Sequence, residues 1–241
     1  MYDYNRGCCD NICYSGVADI FRLPKFSLSF FRTQIAEGSM LPSGKMPYEV
    51  FIPAYRDEIL SDTVMVYGNV DEVELVLNGK TISRQTADKG PDSDYIPVPN
   101  GGNGKNLHFP PFTFYGVPKE RGVLKAVGYH QGKKVAEYTV KTPGVPERLD
   151  ITYFESGKPA TKNDLLIVYV RMLDKQGVLC PVNGIPVELS VQGGEIVGPT
   201  SYPLEAGVAS FLVRTGEISK ININATGKGF STRKSLKVGK E

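Results

Sequence analysis

The sequence predicts a mainly β chain in which two β-sandwiches follow one another behind a short loop–helix stub. Three observations predict it. Short runs of alternating apolar and polar residues recur from residue 63 to residue 225. Tight-turn signals, Asn78-Gly79 and Gln131-Gly132, join neighbouring runs. The 26 glycines and 17 prolines suit a turn-rich chain, and helical spacing is nearly absent after residue 40.

Residues 1–40 read differently from the rest. Pro24 suits a first helical position, and Phe26 and Phe30, like Phe31 and Ile35, lie four apart on one helical face. Gly38 suits the stop. One helix with four large apolar residues cannot bury them on itself. Phe26, Phe30 and Phe31 are therefore expected to pack on the first sandwich or on another copy of the chain. Residues 41–47, with Pro42, Gly44 and Pro47, read as a linker.

The first sandwich, read as immunoglobulin-like, is expected over residues 45–141. Its strands are read at Thr63–Tyr67, Val73–Leu77, Lys80–Arg84, Phe112–Phe114, Val123–Tyr129 and Lys134–Val140. The stretch from Asp88 to Asn106 is rich in Gly, Asp, Pro and Asn and reads as a long exposed loop. Thr142 to Pro146 is a short stiff joint. A second sandwich of immunoglobulin type is expected over residues 147–239, with strands at Arg148–Tyr153, Leu165–Arg171, Val187–Val191, Val208–Val213 and Ile221–Ala225. Lys228, Arg233, Lys234, Lys237 and Lys240 read as a solvated last strand.

Composition excludes several classes. The 28 Lys+Arg against 26 Asp+Glu leave a net charge of +2, so no strong field points to nucleic acid. No apolar run is long enough to span a membrane. Met1 to Arg6 lack the charged and apolar regions of a secretory signal. Cys8, Cys9, Cys13 and Cys180 are too few for a disulfide scaffold and read as thiols, mostly buried. No metal or cofactor is expected, although Asp88, Asp92 and Asp94 have the oxygen chemistry of a calcium loop as well as of a turn.

Catalytic constellations are scarce. No phosphate loop or zinc-protease motif occurs. His108 and His130 are the only histidines, and both read as surface or packing residues. Asp71, Glu72 and Glu74 read as outward solubility charges. If the chain binds carbohydrate by stacking, Tyr95, Phe109, Phe112 and Tyr115 are the candidate platforms, since Trp is absent.

Three stretches resemble a known family. Asp3-Tyr4-Asn5-Arg6-Gly7, followed by Ser15 to Phe26 (SGVADIFRLPKF), resembles the end of the catalytic barrel of glycoside hydrolase family 2 enzymes. The version it resembles is the β-galactosidase-like one of Bacteroides-type bacteria. Val64 to Lys80 (VMVYGNVDEVELVLNGK), and Gly122 to Tyr129 ending in Lys141-Thr142-Pro143-Gly144, resemble the sandwich that follows that barrel. Residues 147–239 are similar to the next immunoglobulin-like domain and to bacterial adhesin repeats.

The resemblance implies retaining hydrolysis by two glutamates on barrel strands upstream of residue 1. The chain would then open at about the last strand–helix unit of the barrel and be inactive alone, a truncated accessory region supporting the barrel and pocket rim. It implies that Asp3, Asn5 and Arg6 border the sugar pocket of a complete enzyme, while the same residues equally suit fixing a strand-to-helix loop. Expected partners are the missing barrel, another copy of the chain, or carbohydrate. A stand-alone carbohydrate-binding or adhesin-like module is the alternative. Related enzymes are usually periplasmic or secreted, whereas the opening residues read as no export signal.

Overall fold

The computed structural model describes residues 2–5, 12–88, 107–154 and 160–239. The chain divides into two compact units, Met1–Thr142 and Pro143–Glu241.

The first unit opens with β1 (Tyr4–Asn5) and β2 (Ile12–Cys13), then α1 (Phe26–Thr33), β3 (Met40–Leu41), β4 (Gly44–Lys45) and β5 (Val50–Phe51). β6 (Val64–Gly68), β7 (Glu72–Leu77), β8 (Lys80–Thr86), β9 (Phe112–Phe114), β10 (Val123–His130) and β11 (Lys133–Lys141) complete it. One antiparallel sheet runs β11-β10-β7-β8 and another runs β5-β6-β9. Val73, Leu75 and Leu77 alternate inward along β7 and meet Leu124, Ala126, Val66, Phe112 and Phe114 in one core drawn from both sheets. This is a β-sandwich.

Asn78-Gly79 and Gln131-Gly132 both carry positive φ at their two central residues, as type I′ turns require. Gly128 meets a different demand. A Cβ there would stand 2.8 Å from Val50 Cγ1 and 3.0 Å from Val70 Cγ1. β5 can cross this strand only because the side chain is missing. Gly128→Ala is expected to lower stability by about 1–3 kcal/mol by overpacking. Urea unfolding of the variant measures it, and an unchanged midpoint would show that Val50 and Val70 yield freely.

The stub is not tethered by a linker. Met46, read as part of one, is only 1% exposed. Gly38 N–H donates to Met46 O at 2.8 Å and Met46 N–H to Ser39 O at 2.8 Å, around the small β3–β4 hairpin. α1 starts two residues after Pro24, because Pro24 pairs with Ala18 in an isolated bridge. Its end is Gln34 rather than Gly38.

Eight residues make a marginal helix alone, so packing holds it. Phe26 packs on Phe51 and Tyr55 (ring centroids 5.6 and 4.8 Å), and Phe30 on Tyr67 (5.0 Å). Phe31 corrects the expectation of three buried rings. One position further round the helix, it points outward and is 56% exposed.

The second unit holds β12 (Arg148–Tyr153), β13 (Leu165–Leu173), β14 (Pro186–Gln192), β15 (Gly194–Ile196), β16 (Ser201–Pro203), β17 (Val208–Thr215), β18 (Lys220–Gly227) and β19 (Phe230–Lys237). Its sheets run β12-β13-β17-β15 and β16-β14-β18-β19. Leu166, Val168, Val170 and Met172 of β13, Ala209, Phe211 and Val213 of β17, and Ile221, Ile223 and Ala225 of β18 face one another in a second sandwich core. On edge strand β19, Lys234 faces inward: its Nζ donates to Ile151 O at 3.0 Å and lies 5.5 Å from the Tyr153 ring centroid.

Candidate functional site

Asp3 is the first residue expected to border a sugar, and the structure turns it inward. It is 5% exposed. Its Oδ1 accepts from Gly16 N–H at 2.8 Å and from Lys25 Nζ at 2.7 Å, while its own N–H donates to Ala18 O at 2.9 Å. A Cβ on Gly16 would strike Asp3 N at 2.3 Å, so glycine permits the loop to close on the carboxylate. In this chain Asp3 fixes the strand-to-helix loop. The Asn5 side chain and Arg6 lie outside the described residues.

Of the four stacking candidates, the structure describes Phe109, Phe112 and Tyr115. Phe112 is 0% exposed in the first core and cannot meet a ligand, because all of Phe112–Phe114 is drawn inside. Phe109 is half-buried and held by Gln34, whose Nε2 donates to Phe109 O at 3.0 Å and whose Oε1 accepts from Phe109 N–H at 3.1 Å. Its ring sits edge-on to His108. Tyr115 is 52% exposed. Tyr95 lies outside the described residues.

Asp71, Glu72 and Glu74 are more than solubility charges. Asp71 Oδ2 accepts from Gln131 N–H at 2.9 Å and Oδ1 lies 3.1 Å from His130 Nδ1, and these contacts, the backbone bond first, hold its pKa below the usual range. Glu72 pairs with Arg84 at 2.5 Å. Glu74 accepts from the Thr81 hydroxyl and the Tyr129 hydroxyl, each at 2.7 Å, and its pKa is held down in consequence. These residues brace the β10–β11 turn and one sheet face.

Asp88 is tied to Thr113, its Oδ2 accepting from the hydroxyl at 2.6 Å. Asp92 and Asp94 lie outside the described residues, as do Cys8 and Cys9. Cys180 is buried, which pushes its thiol pKa up, and Cys13 Sγ lies 3.3 Å from the Ser15 hydroxyl. Among the described residues no three His, Cys, Asp or Glu side chains gather as a metal site, and no helix is long and apolar enough to cross a membrane.

The structure does assemble one cleft that the sequence did not announce. About 340 Å³ in volume, it lies where α1, the segment before β5, and β11 meet. Ser29 and Arg32 come from α1, Tyr48 and Glu49 from the chain entering β5, and Glu137 and Tyr138 from β11. Arg32 forms a two-pronged ion pair with Glu49, which raises the guanidinium pKa. Tyr48 stacks on His130 at 5.0 Å and 28°. Burial raises the pKa of both tyrosines, and the Glu37 and Asp71 charges add to the effect at Tyr48. Three segments spread over about a hundred residues supply these groups, and none carries a local motif.

A helical stub on one β-sandwich, followed by a second sandwich, defines the architecture of the chain. Comparison with known proteins supplies its family. A family model described as a domain of unknown function (DUF4982) matches residues 61–136. A β-galactosidase of Thermoanaerobacter pseudethanolicus is 33% identical over 230 residues, covering 89% of this chain and 29% of that protein. A β-galactosidase sequence of Rhizobium radiobacter is 30% identical over 129 residues, covering 53% of this chain and 92% of that sequence. The solved structure of a family 2 β-glucuronidase shares the fold with a TM-score of 0.78 at 21% identity, over 100% of this chain and 24% of that one. The chain belongs to glycoside hydrolase family 2, among its β-galactosidase-like members, and corresponds to a C-terminal part of them. It spans 29% of the Thermoanaerobacter relative's length.

Proposed function

We propose that this chain is a non-catalytic accessory region of a family 2 glycoside hydrolase, one whose whole enzyme removes terminal β-galactosides with retention. The observation that carries the reading is the two-sided stub. One side, Phe26 and Phe30, is packed on the first sandwich. Elsewhere on the stub Tyr2, Tyr4, Tyr14, Ile20 and Phe31 remain exposed, an apolar load that suits cover by a larger body. The remainder of the barrel is the occupant this reading assigns to it.

The work of the region is then mechanical. Retaining hydrolysis needs two carboxyl groups about 5–5.5 Å apart, one as acid and then base, one as nucleophile. Those groups belong to the barrel. The sandwich holds the end of the barrel through α1, the Arg32–Glu49 pair and the hydrogen bonds of Asn69 to Ile35 O and Pro47 O. A fixed last unit keeps the pocket rim in place.

The purified chain is expected to release no nitrophenol from a chromogenic β-galactoside. Steady turnover that survives repurification would overturn the non-catalytic assignment. In the whole enzyme, Phe31→Ser is expected to weaken the hold of the barrel on this region, whereas in the chain alone it lowers the melting temperature only slightly, because the ring is 56% exposed and stands edge-on to Phe30 at 5.4 Å.

A further inference from the structure

We infer that the cleft between α1 and β11 binds a single neutral sugar residue. The site rests on the geometry of this unit, and the sugar class rests on the functional reading above. Its volume of about 340 Å³ stands at the lower end of small-molecule sites, roughly 300–1,000 Å³. That is room for one or two pyranose rings, not for a long chain.

A sugar offers hydroxyls that both donate and accept, and a C–H face that prefers an aromatic ring. The cleft presents both kinds of surface. Ser29, Tyr48 and Tyr138 bring hydroxyls, Glu137 brings an acceptor, and the Arg32–Glu49 pair brings a donor beside an acceptor. The tyrosine rings are fixed in advance. Tyr48 is stacked on His130, and Tyr138 stands edge-on to Phe51 at 5.3 Å and 73°. Rings and a guanidinium that are already ordered need not be ordered again by a ligand.

Charge decides between sugar types. Arg32, the cation of the lining, is occupied by Glu49. Glu137 adds a second carboxylate, shared with Lys134 at 2.6 Å and Lys125 at 3.9 Å outside the lining. Because Arg32 is held by Glu49, a uronic acid would find no unpaired guanidinium in the lining to receive its carboxylate. A neutral hexoside needs none.

Amide chemical shifts of the intact chain, titrated with methyl β-galactoside and separately with methyl β-glucuronide, test the site. Saturable shifts are expected at Ser29, Tyr48, Glu137 and Tyr138, with a Kd on the order of 1–10 mM for the galactoside and at least about fivefold weaker binding of the uronide. Tyr138→Phe should weaken galactoside binding at least about threefold, and Glu137→Gln, at an exposed position, should narrow the gap to the uronide. Absence of saturable shifts up to about 50 mM, shifts confined to another surface, or equal or tighter binding of the uronide would each overturn the inference. None of these results touches the accessory reading, which turnover of the chromogenic galactoside would overturn whether or not the cleft binds.

Discussion

Asn69→Ala is expected to remove about 3–5 kcal/mol of stability from the first unit. Asn69 is 3% exposed and satisfies three backbone groups at once. Its Oδ1 accepts from Glu49 N–H at 2.6 Å, and its Nδ2 donates to Ile35 O at 2.9 Å and Pro47 O at 3.0 Å. Alanine would leave all three without this partner; at half-buried Glu49 and Ile35 each loss costs about 1–3 kcal/mol, while exposed Pro47 O can turn to water. Asn69→Asp should do no better, since it replaces the amide donor with an oxygen facing two carbonyls. Thermal melts should fall by roughly 8–15 °C, and hydrogen exchange at the Glu49 amide should quicken first. A loss below about 1 kcal/mol would show that water replaces the amide and that the stub is held elsewhere.

Asp174→Asn is expected to cost the second unit about 2–4 kcal/mol at neutral pH. The residue is buried. Its Oδ2 accepts from Gly144 N–H at 2.7 Å and its Oδ1 from Val178 N–H at 2.8 Å. The Gly144 bond is the first cause of a pKa held below the usual aspartate range, and the amides of Val178, Gln176 and Gly177 add to it. Because the folded pKa lies below the unfolded value of about 3.9, the carboxylate's contribution is fully present above that value. It is lost as pH falls through the lower folded value. The melting temperature should therefore hold steady from pH 7 to about 5 and decline below about 4. The difference between the D174N variant and the native chain should shrink in the same acid window, because the native carboxylate is being protonated there. An equal difference at pH 7 and at about pH 2 would mean that charge plays no part.

Strands were readable wherever side chains alternate over five or more residues. Val73, Leu75 and Leu77, or Val168, Val170 and Met172, carry the period of a sheet face in their own sequence. Val50–Phe51, Gly194–Ile196 and Ser201–Pro203 are too short to show a period and exist because β6, β17 and β14 pair with them. The helix was visible, but its orientation was not. The pairs Phe26/Phe30 and Phe31/Ile35 both satisfy four-residue spacing, and only the position of Phe51, Tyr55 and Tyr67 decides which pair is covered. Met46 looked like linker because Pro42, Gly44 and Pro47 surround it, yet it closes back on Gly38 and Ser39.

Sites were less readable for the same reason. Asp3 has the chemistry of a sugar ligand, and what turns it inward is Lys25, twenty-two residues away, and a loop that closes at Gly16. Phe112 carried two readings at once, strand and platform, and burial of the whole Phe112–Phe114 strand decides for the first. Glu49, Tyr48 and Tyr138 gave no signal, since a cleft built from three segments is a property of packing rather than of any motif.

Lys234 carries a consequence beyond its own contacts. β19 ends its sheet, and the outer edge of such a strand is a template on which a stray chain can add itself. A lysine in the inward row, between Thr232 and Leu236, works against that. Extending the sheet by one more strand would crowd the route by which the ammonium reaches Ile151 O, and an incoming hydrophobic strand would meet Arg233 and Lys237 on the other face. The charge that closes this sandwich at its rim also discourages fibrous self-association.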